Sequence, residues 1–140
     1  MKKTSKSFRD TQKAGAEFAK DLNAGEIVLL SGELGAGKTT FVQGLAGELG
    51  MKDRIISPTF TLVRRHKIRQ PKNNIRTIYH VDLYRLEGEA DIVTLGLEDI
   101  FEDESGIFLI EWGEKHSGLK ADKKVEIKIT GEEEREITYE

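Results

Sequence analysis

Cysteine is absent from this sequence, and with it go disulfides, thiol nucleophiles and cysteine-based zinc sites. That absence fits a reducing cytoplasm, which is the expected location. No run of eighteen apolar residues occurs, and no basic stretch leads through an apolar segment to a small-residue cleavage site. Neither a membrane span nor secretion is therefore expected. An excess of one charge is lacking too: the formal net charge of -3 argues against a protein whose whole surface embraces nucleic acid. The three histidines, His66, His80 and His116, show no ligand spacing.

What remains, 140 residues of which 37% are hydrophobic, is enough for one domain with a real core and too little for two substantial ones. A single domain over residues 1–140 is the expectation. The charge is segregated along the chain. Arg64, Arg65, Lys67, Arg69, Lys72 and Arg76 form a stretch without an acid, whereas Glu87 to Glu111 contains acids and no base. Such blocks mark either partner surfaces or solvated edges.

The strongest local signal is Gly32-Glu33-Leu34-Gly35-Ala36-Gly37-Lys38-Thr39, a complete G-x-x-x-x-G-K-[ST] phosphate-binding loop. By chance this pattern arises in roughly one chain of such length in a few hundred. Its surroundings agree: Ile27-Val28-Leu29-Leu30 reads as a buried strand, and Thr39 to Leu49 as a helix closed by Gly50. Glycines at 32, 35 and 37 let successive N–H groups point inward, and the helix adds the positive end of its dipole. Lys38 is placed to reach the β and γ oxygens of a nucleoside triphosphate, and Thr39 to offer its hydroxyl to Mg²⁺.

Around this unit, Asp10 or Thr11 can cap a first helix carrying Ala14, Phe18 and Leu22, with Gly25 ending the pattern. Pro58 forces Ser57 out of helical space, and a strand is expected from about Thr59 to Ile68. Arg69 to Asn74, with Pro71, reads as a turn into an antiparallel return strand, Ile75 to Leu83. Short helices are expected at Glu89 to Val93 and Leu97 to Phe101. Ile107 to Glu111 reads as a central parallel strand, and Val125 to Ile129 with Arg135 to Tyr139 as a terminal hairpin. The predicted fold is α/β: a mixed sheet of the P-loop NTPase type, parallel at its centre, antiparallel at its margins and flanked by helices. Ligands of such sheets bind at the carboxyl ends of the strands, here near Leu30, Leu83 and Ile110.

Mg²⁺ bridging two phosphates needs a carboxylate from another strand end besides Thr39. Glu111 follows four apolar residues, the profile of an acid projecting from a buried strand, and is assigned to the metal. Asp82 is left either to orient or deprotonate an attacking water, to hold a water of the metal shell, or to serve structurally with Arg85 or a backbone turn. Period two puts His80, Asp82 and Tyr84 on one face. Ser57-Pro58-Thr59-Phe60-Thr61 reads as a loop sensing the γ-phosphate or as a proline-started strand. Trp112 is a packing residue, or an indole that stacks on the ligand or anchors a partner. Nothing resembles Asn-Lys-x-Asp, so guanine reading is unsupported, and the chain is short for a nucleotide kinase with its lid.

The phosphate-binding loop with Thr40, Ser57-Pro58-Thr59-Phe60-Thr61-Leu62-Val63, His80-Val81-Asp82-Leu83-Tyr84-Arg85 and Ile110-Glu111-Trp112 together closely resemble the bacterial TsaE family, also called YjeE. The resemblance runs in order along essentially the whole chain. It implies a Mg²⁺-dependent ATPase that works with TsaD and TsaB to make N6-threonylcarbamoyladenosine in tRNA, meeting tRNA indirectly through that complex and spending ATP to sustain turnover. It implies further that Lys38 and the amides of Gly32, Leu34, Gly35, Ala36 and Gly37 hold phosphates, and that Thr39 and Glu111 hold Mg²⁺. Thr40 and Asp82 match positions linked to hydrolysis, and Thr11 and Arg135 match nucleotide contacts. Glu33 stands where the family often has Asp. The competing readings are a small-molecule kinase and a nucleotide-gated module whose basic stretch grips RNA.

Overall fold

Ile27–Ser31 is apolar and β-branched at its start, and it becomes β2, the strand that delivers the chain into the glycine-rich loop. The computed structural model describes residues 1–33, 35–51, 63–72, 74–84, 86, 96–113 and 119–140. Leu34, the 57–61 segment, the strand start expected at Thr59, Arg85, the helix expected at 89–93 and His116 lie outside the described residues.

In chain order the elements are β1 (Lys2–Ser5), α1 (Phe8–Ala19), β2, α2 (Lys38–Glu48), β3 (Val63–Lys72), β4 (Ile75–Asp82), α3 (Leu97–Ile100), β5 (Gly106–Glu111), β6 (Lys123–Ile129) and β7 (Arg135–Tyr139). The seven described strands form one sheet in the order β1-β7-β6-β2-β5-β4-β3. β6, β2, β5 and β4 run parallel, while β7 on β6, β1 on β7 and β3 on β4 are antiparallel. The parallel centre with antiparallel margins is as predicted. Two features differ. β6 belongs to the terminal hairpin and also to the parallel centre, and β1, whose Lys-Lys-Thr-Ser carries no apolar alternation, is held by main-chain pairing to β7.

Helix boundaries shift for identifiable reasons. Ser7, in extended conformation, caps α1 by accepting the Asp10 amide at 3.1 Å, and Asp10 accepts the Lys6 amide in return. Thr11, one turn inside, is buried with its hydroxyl 2.7 Å from that of Ser5. The helix ends at Ala19, ahead of Gly25, although Leu22 is still buried. α2 closes as foreseen at Gly50, at φ 99°: the Met51 amide reaches the Ala46 carbonyl and the Gly50 amide that of Gly47. β3 runs through Pro71 to Lys72, with a bulge after Lys67, where a turn was expected from Arg69. Pro71 is accommodated because β3 stands at one end of the strand order, where a missing amide breaks no ladder. The turn is confined to the vicinity of Asn74, at φ 61°.

β5 is buried along its length, and its alternate residues feed two cores. Ile107 and Leu109 face the layer of α1 and α2 with Phe18, Phe41, Leu45, Leu30 and Ile78, whereas Phe108 and Ile110 face Tyr79, Val81, Leu83 and Leu97. Fully burying one such side chain contributes about 1.5–3 kcal/mol. Among the described residues no helix is long and apolar enough to cross a membrane.

Candidate functional site at the strand carboxyl ends

Register decides which side chains meet. Leu30 of β2 and Asp82 of β4 both pair with Glu111 of β5, so the ends of the three central strands lie level, and Asp82 and Glu111 are neighbours on one face. β2 passes from Ser31 through the glycine loop into α2. Gly35 and Gly37 take left-handed φ values of 80° and 107°, which turn the chain into the helix at low steric cost. The loop is packed from beneath, since a Cβ on Gly32 would stand 2.7 Å from the Ile127 carbonyl of β6.

Lys38 opens α2 and turns back across the loop. Its Nζ lies 2.8 Å from the Gly32 carbonyl, 3.2 Å from Glu111 Oε1 and 5.8 Å from the centre of the Trp112 ring. The other oxygen of Glu111, Oε2, is 2.7 Å from Nε2 of His80. Burial pushes the Glu111 carboxyl up, but the His80 hydrogen bond and electrostatic attraction, joined by the Lys38 ammonium, outweigh it and hold the group below its ordinary range. Glu111 is therefore an ionised, acceptor-only group in a buried setting. Sequence reasoning set His80 on the face of Asp82 but gave it no role, because spacing along the chain carries no hint of a contact made between two strands. The available signal was a histidine inside the apolar run of β4 at the same alternation as Asp82.

Asp82 is half-buried, and its Oδ1 accepts the Tyr84 amide at 2.9 Å. Trp112, at φ 61°, holds a left-handed conformation that costs about 1–2 kcal/mol for a non-glycine residue. Its ring packs against the exposed Tyr84 at 5.1 Å and over the Lys38 ammonium. Thr39 and Thr40 follow Lys38 in the first turn of α2, both half-buried.

On the other flank of the loop lies a cavity of about 250 Å³, walled by Thr11 and Phe8 of α1, Gly35 to Gly37, Thr40, Glu132, Glu133 and Arg135. Arg135 donates from Nε to the Ala36 carbonyl at 2.9 Å and from Nη1 to those of Gly131 and Glu134 at 3.1 and 2.8 Å. Thr11, Thr40 and Arg135, far apart in sequence, thus line one space beside the loop. Of the basic stretch, Arg65 is turned onto the Tyr79 ring at 5.3 Å, next to the carboxylate that Tyr79 contacts, Asp103.

Among the described residues no three His, Cys, Asp or Glu side chains converge as a self-sufficient metal site. A divalent cation here would draw on Thr39, Glu111, phosphate oxygens and water. That set of hard oxygens suits Mg²⁺, which is ordinarily held by one or two carboxylates together with substrate phosphates.

The family model "Threonylcarbamoyl adenosine biosynthesis protein TsaE" matches residues 5–137. This chain belongs to the TsaE family. Membership gives it a part in tRNA threonylcarbamoyladenosine biosynthesis. It is 37% identical to the TsaE of Treponema pallidum (strain Nichols) over 140 residues, covering 99% of this chain and 98% of that one. It is also 37% identical to the TsaE of Bacillus subtilis (strain 168) over 129 residues, covering 91% and 75%. The crystal structure of Bacillus subtilis YdiB superposes with a TM-score of 0.76 at 29% identity, covering 99% of this chain and 83% of that one. In this chain the glycine-rich loop, Glu111 and Asp82 lie at the carboxyl edge of the parallel strands.

Proposed function

We propose that this TsaE-family chain binds Mg²⁺-ATP in the loop from Gly32 to Thr39 and hydrolyses it in support of TsaD and TsaB, which carry the modification of tRNA. The observation that supports this most is the placement of the Lys38 ammonium at the loop mouth, between the Gly32 carbonyl and the buried, ionised Glu111. A cation set there, beside main-chain amides at a helix N-terminus, is matched to an anion that several donors share.

In this reading the loop amides and Lys38 hold the polyphosphate, and Thr39 with Glu111 are the Mg²⁺ ligands. Mg²⁺ held by Thr39 and Glu111 would supply positive charge to offset that developing on the phosphate oxygens. Thr11, Arg135 and the cavity beside the loop receive the rest of the nucleotide, with Trp112 at the opposite flank. Asp82, level with Glu111, orients or deprotonates water for attack, and Thr40 assists. Arg135, which reaches the loop at the Ala36 carbonyl, has guanidinium donors directed to carbonyls. Arg135 is thereby engaged by carbonyls and not free to act as an arginine finger, and in this reading turnover alone is slow and partners raise it.

Phosphate release by the purified chain, with and without TsaD and TsaB, tests the proposal. Release that rises several-fold with the partners supports it. Equal rates with and without them remove the partnership, and the lack of any calorimetric signal for ATP with Mg²⁺ removes the nucleotide reading itself.

A further inference from the structure

His80 is fully buried, yet only half of its hydrogen-bonding capacity is used among the described residues: Nε2 meets Glu111 Oε2 at 2.7 Å, and Nδ1 has no partner. Glu111 being ionised and acceptor-only, Nε2 carries the proton and donates. A half-satisfied imidazole is a poor choice for stability at a site where an apolar ring or chain would fill the same space. Something other than packing accounts for the histidine here.

We infer that His80 is a positioning residue that fixes Glu111 for the metal, an inference that rests on the proposed Mg²⁺-nucleotide reading. The two oxygens of Glu111 have separate partners, Lys38 on Oε1 and His80 on Oε2. A polyphosphate competes for the Lys38 ammonium, which is flexible on its four-carbon stem. His80 does not face that competition: it stands on β4, paired in register with Leu109, two residues before Glu111 on the neighbouring strand. When Lys38 turns to phosphate, the His80 N–H remains to restrict rotation of the carboxylate, leaving Oε1 directed to the loop. Groups that orient a metal ligand typically alter metal affinity about 10- to 100-fold when removed.

The experiment is ATP binding to the full chain by calorimetry, with Mg²⁺ titrated in and again in EDTA, for wild type, His80→Leu, His80→Gln and His80→Asn. Glutamine places an amide nitrogen near the position of Nε2, whereas asparagine places it near Nδ1. His80→Leu is expected to raise the Mg²⁺ concentration for half-maximal effect about 10- to 100-fold, with affinity in EDTA changed less than about twofold. His80→Gln restores the wild-type requirement and His80→Asn does not. Should the leucine variant fail to fold in thermal melts, the glutamine–asparagine difference decides the matter alone. A folded leucine variant with wild-type Mg²⁺ dependence overturns the inference, as does equal loss with and without Mg²⁺ that glutamine fails to repair. Wild type that binds no ATP at all is a separate result, overturning the nucleotide reading and this inference with it.

Discussion

Glu111 and Asp82 are adjacent carboxylates in unlike surroundings, and the difference sets what each can do. Glu111 is buried between an ammonium and an imidazole, whereas Asp82 is half-buried and accepts the Tyr84 amide. The first is suited to holding a cation and the second to handling a water. Asp82→Ala is expected to leave ATP affinity within about threefold and to lower turnover about 10²- to 10⁴-fold, read by calorimetry beside phosphate release. Equal loss of binding and turnover would make Asp82 a ligand. The Glu111 carboxyl also bears on stability. Its folded value lies below the ordinary 4.5, so its contribution to stability is complete above that value and is lost as pH falls through the lower folded one. The stability gap between wild type and Glu111→Gln, followed by denaturant unfolding, should therefore be constant near neutrality and narrow with acidification below 4.5. A gap that widens in acid would contradict the assignment. At this scale the gathering of Lys38, Asp82 and Glu111 at the strand carboxyl ends was legible because each sits at a motif position or strand end. His80 and the bond from Arg135 to the loop were not, since both depend on contacts between elements distant in sequence.

Two glycines fix how α1 crosses α2. A Cβ on Gly15 would stand 2.0 Å from the Phe41 carbonyl, and one on Gly44 would stand 1.9 Å from that of Gln12. Backbone cannot yield as a side chain does. Gly44→Ala gains about 1 kcal/mol in helix propensity but incurs about 3 kcal/mol of overpacking, a net loss of about 2 kcal/mol. Gly47, exposed in the same helix with nothing within 4 Å of a built Cβ, supplies the contrast. Gly47→Ala should stabilise by about 0.5–1 kcal/mol. Chemical denaturation of the pair separates packing from propensity, and a stable Gly44→Ala would show that the crossing relaxes cheaply. The helices themselves were readable from apolar spacing, the loop and Gly50. Their ends were less so: Ser7 caps α1 because its extended backbone precedes the first turn, a conformational fact that the sequence offers for Ser7, Asp10 and Thr11 alike.

Across the whole molecule, the glycine-rich loop is tied to the first helix and to the terminal hairpin. α1 reaches it through Thr11, whose methyl lies 3.6 Å from a Cβ built on Gly37, and β7 reaches it through its first residue, Arg135. The sheet order explains why: β7 lies between β1 and β6, and β6 lies beside β2, so the carboxyl end of β2 is flanked by the terminal hairpin. The mixed sheet was legible from alternating apolar runs, but β1 and the parallel docking of β6 were not, because their pairing is set by main-chain register. Arg135 serves carbonyls of the loop and of its own turn, and its planar fork satisfies several at once. With net hydrogen bonds to a charged donor at about 1.5–3 kcal/mol, discounted for the exposed members of the set, Arg135→Ala should cost about 2–3 kcal/mol. Arg135→Lys should recover less than half of that, because an ammonium cannot reach the loop and the turn together. If charge near the phosphates were its main task, lysine would restore ATP affinity almost fully. If the fork organises the loop, affinity and stability fall together in both variants, and parallel calorimetry and thermal unfolding of wild type, Arg135→Lys and Arg135→Ala distinguish the two.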